Sequence, residues 1–154
     1  MTAQGNLHKM YTEYGEPIKY RLKLEGDEIL MNDLLGKKIN FEFEGRIDCV
    51  SCGVRTKKAF GQGFCYPCFA NSPDNAECIL RPELCEGHLG GGRDPEWEQK
   101  HHVQPHYVYL AVSSGLKVGI TRETQIPTRW IDQGASSAII LAEVPHRRLS
   151  GEIE

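Results

Sequence analysis

Apolar and polar residues alternate through the first third of this chain. In "YRLKLEG" (residues 20–26) and "INFEFEG" (39–45) every second position is apolar, the period of a strand with one face buried. Between them "DEILMNDLLG" reads as a short helix ended by Gly36. Further on, "RDPEWEQK" offers Asp94 as an N-cap, Pro95 at the first helical position and acids in the first turn, so a short helix is expected there, with no chemistry assigned to it. From residue 107 the pattern sharpens. "YVYLAV" and "LKVGIT" are strands joined by the tight turn "SSG", a β-hairpin. A helix follows, with Pro127 in its first turn, Ile126 and Trp130 on one face and Gly134 as its stop. "SAIILAEV" is a third strand, and "PHRRLSGEIE" a helix with Leu149 and Ile153 on one face. The expected class is α+β, with a β-rich N-terminal subdomain (1–48), a metal-binding knuckle and metal-rich linker (49–106), and a small unit of order β-β-α-β-α (107–154).

Composition narrows what such a chain can do. Its 154 residues, 40% apolar and 25% charged, suit one ordinary domain or two small subdomains. A net charge of −3 gives no overall basic field toward nucleic acid or an anionic membrane, so binding of that kind must be local. The start "MTAQGNLHKM" has no apolar signal core, and no run reaches the roughly 18 apolar residues of a membrane span. The expectation is a soluble cytoplasmic protein with no membrane partner. Charge is unevenly spread. Residues 46–68 carry Arg46, Arg55, Lys57 and Lys58 against Asp48 alone, a basic knuckle suited to phosphate, or simply a solvated face.

Six cysteines carry the strongest signal. Cys49-x2-Cys52 and Cys65-x2-Cys68 are separated by the twelve residues "GVRTKKAFGQGF". Each Cys-x2-Cys turn offers two thiolates on one side of a tight loop, and two turns close a tetrahedral shell. The competing readings are disulfides, disfavoured in a reducing compartment, and a redox pair, which would need a βαβ setting. Four protein ligands leave no open position, so the expected cofactor is one structural Zn²⁺. Phe60 and Phe64 are placed to pack over the sulfurs. Cys78-x6-Cys85-x2-His88 supplies three more donors, and a later histidine would complete a second zinc site. His106 is preferred to His102 because it abuts the strand "YVYLAV". The bland alternative is that both cysteines are small buried hydrophobes.

The segment "LKVGITRETQIPTRW" poses its own question. A glycine inside a strand usually marks a place where something approaches the backbone, so a partner is expected against Gly119. The order β-β-α-β-α with "YVYLA" and "LKVGITR" as its hairpin resembles the GIY-YIG nuclease fold, in its divergent Lys-Ile-Gly form. The whole chain, through "CVSC", "GFCYPC", "RPELC", "GLKVGITR" and "PTRWIDQGA", resembles the bacterial family called domain of unknown function 2797. The nuclease resemblance implies a hairpin tyrosine near an attacking water, a helix arginine and a glutamate holding one Mg²⁺ or Mn²⁺. Arg129 falls at the arginine, and Glu152 or Glu154 lies on the helix that should carry the carboxylate. Val108 and Lys117 occupy the two tyrosine positions, which leaves Tyr107 and Tyr109 one step to either side of the first and makes Tyr109 the candidate. The last helix stops at Glu154, as in a unit truncated at its C-terminus.

Lys117, Arg122 and Arg129 are suited to the nonbridging oxygens of a phosphate beside Gly119, whereas Arg129 with Asp132 and Arg148 with Glu152 also have helical spacing for plain ion pairs. Three functions compete: a zinc-containing protein that binds DNA or RNA on a GIY-YIG-like scaffold without cutting, an active metal-dependent endonuclease, and a zinc-ribbon module that docks a protein partner beside a vestigial phosphate site. Retention of the arginine and glycine without both motif tyrosines favours the first.

Overall fold

The computed structural model describes residues 2–154, which form a mixed α/β protein with two small antiparallel sheets. The chain divides into two compact units, residues 1–70 and 71–154.

In the first unit, strands β1 (Tyr11–Glu13), β2 (Lys19–Leu24) and β3 (Asp27–Leu30) form a sheet in that order. β2 is the first strand expected from alternation. The helix expected over 27–36 is instead mostly strand. Glu25 and Gly26 close a two-residue hairpin, with Gly26 at φ +89°, and this brings residues 27–30 into register with β2 from Leu24↔Asp27 to Arg21↔Leu30. Only Met31–Leu34 coil, as a 3-10 turn. Asn32 ties that turn back to the strand edge, accepting from Tyr20 N (2.9 Å) and donating to Ile18 O (2.8 Å). The second alternating segment, residues 39–45, forms no strand, and Phe41 and Phe43 are exposed. Alternation specifies a face; without a neighbouring strand to pair with, it does not make a sheet.

The second unit begins with a run of 3-10 turns, Pro73–Asn75, Glu77–Ile79, Pro82–Leu84 and Gly87–Leu89. Residues expected to act as a linker are thus folded structure that belongs with the C-terminal elements. Helix α2 (Pro95–His101) follows helix α1 (Tyr66–Asn71) of the knuckle, and Asp94 Oδ1 accepts from Trp97 N at 3.0 Å as the N-cap expected. Then come β4 (His106–Val112), β5 (Leu116–Arg122), α3 (Thr128–Asp132), β6 (Ser137–Val144) and α4 (Arg147–Ile153), the β-β-α-β-α order read from the sequence. The sheet runs β5-β4-β6, all antiparallel. Being central, β4 supplies the most deeply buried side chains, His106, Val108, Tyr109 and Ala111. Its pairing with β6 shifts by one residue between Val108 and Tyr109. Among the described residues, no helix is long and apolar enough to cross a membrane.

Candidate metal centre

Two tight turns build the knuckle. In the first, Cys49 N bonds Val54 O and Gly53 N bonds Cys49 O, both at 2.9 Å. In the second, Phe60 N bonds Phe64 O at 2.8 Å and Phe64 N returns to Phe60 O at 2.9 Å. Val50 N→Gly63 O (2.9 Å) clamps one turn to the other, and α1 begins beside Cys65, so that Cys68 comes round on its first turn. The four sulfurs of Cys49, Cys52, Cys65 and Cys68 lie within 4.8 Å of one another, and none of these cysteines is in a disulfide. Cys52 and Cys65 Sγ are 3.8 Å apart. A tetrahedron of sulfurs with metal–sulfur bonds of about 2.3 Å has edges of about 3.8 Å, so the four sulfurs are positioned to hold a metal ion.

Electrostatics favour the same reading. The Cys49 thiol is pulled down to about 6 because its sulfur accepts backbone N–H groups, of Cys52 first and of Cys65 at 3.2 Å. Cys68 is pushed up to about 12 by its neighbours Cys65 and Cys52. The Cys49 thiolate is favoured, and Cys68 keeps its proton unless a cation takes its place. Phe60 lies edge-on to Tyr66 (5.4 Å between centroids) and close to Phe69 (5.9 Å), an aromatic cluster in the knuckle. Lys58 Nζ stands 5.1 Å over the Phe60 ring, and Arg55, Lys57 and Lys58 are all exposed.

A second gathering of donors lies in the C-terminal unit. It comprises Cys78 and Cys85 with Glu98 and His102, all buried, their ligand atoms within 4.8 Å of one another. His88 and His106, expected from the sequence beside these cysteines, lie elsewhere. The His88 ring stacks on His146 at 4.3 Å. His106 donates from Nδ1 to Gln104 O (2.7 Å), and burial holds its imidazole down to about 4, in the neutral form. Glu98 and His102 were legible in principle. They are four apart on a helix whose N-cap was read correctly, which puts both on one face. In this cluster the Cys85 thiol is drawn down, chiefly by its hydrogen bond with Cys78 and then by His102, and the Cys78 thiol is driven up by the same bond with Cys85. Burial raises the Glu98 carboxyl against the opposing pull of His102.

The partner of Gly119 is Tyr109. The two are paired across β4 and β5, and a Cβ on Gly119 would stand 2.7 Å from the tyrosine hydroxyl and 2.8 Å from Cζ. Tyr109 is fully buried, donates to Gln133 Oε1 (3.0 Å) and meets Trp130 edge-on at 6.0 Å. Lys117 and Arg122 are five apart on β5 and so point to opposite faces of the sheet, Lys117 exposed and Arg122 half-buried. Arg129 is exposed on α3. Glu152 pairs with Arg148 at 2.8 Å, the helical ion pair its spacing allows, and Glu154 is exposed at the end of α4.

Residues 36–154 match the family described as "Protein of unknown function (DUF2797)". No curated protein and no solved structure matches the chain significantly.

Proposed function

The chain belongs to this family, whose description assigns no activity, and from that premise we propose that it is a zinc-containing nucleic-acid-binding protein whose knuckle is its contact surface. The observation that carries the reading is the loop between the two Cys-x2-Cys turns, where Arg55, Lys57 and Lys58 are exposed and Lys58 stands over the ring of Phe60, which clusters with Tyr66 and Phe69. Cations that track a phosphate backbone, together with rings on which bases can stack, are the common equipment of sequence-tolerant binding. Zinc is the ion favoured by four thiolates at tetrahedral spacing, and a closed shell makes its role structural. The element order of the second unit supports a GIY-YIG-like scaffold, on which exposed Lys117 and Arg129 would add phosphate contacts. The proposal stops at binding. Tyr109, the candidate hairpin tyrosine, is buried with its hydroxyl engaged by Gln133, out of reach of an attacking water.

The test is anisotropy titration of zinc-loaded full-length protein with labelled single-stranded and duplex DNA and RNA at several salt concentrations. Binding should weaken steeply with salt, and Lys57→Ala and Lys58→Ala should each lower the salt slope by about one. Absence of binding to all four probes at low salt would overturn the reading. One observation then favours a protein-docking module. Leu116, Val118 and Ile139 are apolar and exposed, and strand register puts Val118 and Ile139 on one face of the sheet, both opposite Leu110.

A further inference from the structure

The buried group of Cys78, Cys85, Glu98 and His102 has a charge problem as a plain piece of core. Three acidic side chains and an imidazole share one pocket away from water, and Oε1 of Glu98, a residue only 1% exposed, has no hydrogen-bond partner. Native proteins seldom leave such an oxygen unpaired, because its desolvation goes uncompensated. The pocket is also shaped around that carboxylate. Gly92, at φ +116°, lies so close that a Cβ there would sit 2.5 Å from Glu98 Cγ, and Gln99 anchors the adjoining turn by donating to Gly87 O at 2.8 Å.

We infer that these four residues bind one zinc ion as a closed structural centre, separate from the knuckle. Distances fit. Cys85 Sγ lies 3.5 Å from His102 Nδ1 and 3.8 Å from Glu98 Oε2, against edges of about 3.6 Å for tetrahedral zinc with mixed sulfur, nitrogen and oxygen donors. Glu98 Oε2 and His102 Nδ1 hydrogen-bond each other, closer than two ligands of one ion stand. Zinc would therefore take the place of the proton between them and part the two groups, with Oε1, which has no protein partner, free to turn to the ion, while the thiol protons leave to solvent. Charge closes as well. Two thiolates and a carboxylate around a divalent ion leave one negative charge, and Arg147 is placed to balance it. Its Nε and Nη2 donate to the carbonyls of Cys78 and Ile79, both at 2.9 Å, and it interacts electrostatically with both cysteines. The centre would join the 3-10 turns that carry the cysteines to α2, elements with little apolar core of their own, since the buried cluster there is Ala76, Cys78 and Cys85 with Ile79 against it.

The inference stands apart from nucleic-acid binding and is tested by metal stoichiometry on the full-length chain, reduced, stripped with chelator and reloaded with zinc. Two zinc ions per chain are expected, one in Cys65→Ser, one in Cys85→Ala, and none in the double variant. Glu98→Gln keeps the shape and hydrogen-bonding capacity of the side chain, so it guards against simple misfolding. It should stay folded by circular dichroism and weaken one of the two ions roughly tenfold or more. Cobalt loaded into Cys65→Ser should show the thiolate-to-metal absorption of two sulfurs rather than four. A Cys65→Ser chain that takes up no zinc, or a folded Cys85→Ala or Glu98→Gln protein that holds as much zinc as wild type with unchanged affinity, would overturn the inference and leave a hydrogen-bonded core.

Discussion

The two cysteine-rich regions are built on opposite principles. In the knuckle the cysteines sit on short turns and the start of α1, Cys52 is exposed, and the buried residues of the whole first unit, among those described, are Leu22, Cys49 and Cys65. A unit that buries so little apolar surface cannot meet its conformational entropy from packing alone, and small domains of this kind turn to metals or disulfides. In the second unit all four donors are buried, and the same unit holds a sheet whose central strand buries Val108, Tyr109 and Ala111, so packing contributes independently of any ion. The contrast teaches that equal numbers of candidate ligands, four in each group, do not imply equal dependence on metal. What matters is how much else is buried nearby.

Several changes would break or sharpen that contrast. The largest effect is expected for Cys65→Ser, which removes one ligand of a centre whose folding contribution is on the order of 10 kcal/mol. Amide hydrogen exchange should show protection lost across residues 47–69 while β4 stays protected. Comparable loss in β4 would mean that the second unit is no more independent of the knuckle metal than the first.

Smaller, and confined to the second unit, is Gly119→Ala. Its Cβ would press on the Tyr109 ring, a central-strand overpacking worth roughly 1–3 kcal/mol in urea denaturation. Tyr109→Phe, which loses only the bond to Gln133, should cost about 1 kcal/mol. A Gly119→Ala protein as stable as wild type would show that Tyr109 has room to move and that the glycine serves another purpose.

Acid should also separate the units. His106 is held neutral by burial, with its folded value near 4 against an unfolded value of 6.5. Its contribution is therefore complete above about 6.5 and is lost as pH falls toward 4, because the unfolded chain takes up the proton first. Urea midpoints should fall more between pH 7 and pH 5 in wild type than in His106→Asn, and equal falls would show that His106 does not carry the acid sensitivity. The smallest effects on stability belong to Lys57→Ala and Lys58→Ala, exposed side chains whose loss should change the urea midpoint by no more than about 1 kcal/mol even with the Lys58 contact to Phe60 removed.

How far the sequence could be read depended on whether a feature was set by local or by distant neighbours. The Cys-x2-Cys pairs, the Asp94 cap and the β-β-α-β-α order are written in short windows, and the structure contains all three. The strand at 27–30 was missed because its signal lies in its partner. Glu25-Gly26 folds it onto β2, and its own residues pass equally well for a helix. Gly119 was correctly suspected of a close approach, but the approaching group is Tyr109 from the adjoining strand, which only the register reveals. His106 was preferred to His102 on nearness to a strand, when the helical step from Glu98 to His102 was the better guide to which donors share a face. Proximity along the chain says little about where a side chain points; periodicity says more.

The exposure of Cys52 has a kinetic meaning as well. A competing thiol or chelator can approach the knuckle at that sulfur and exchange ligands while the surrounding turns stay folded, so the lifetime of an ion there should shorten as competitor concentration rises. No donor of the second group offers such a handle, since all four are buried and the Gly87–Leu89 turn and Gly92 close over Glu98. An ion held there could leave only when that part of the unit opens, at a rate the competitor does not set. Two ions of the same element in one chain would then keep different time, one governed by the solution and the other by the protein.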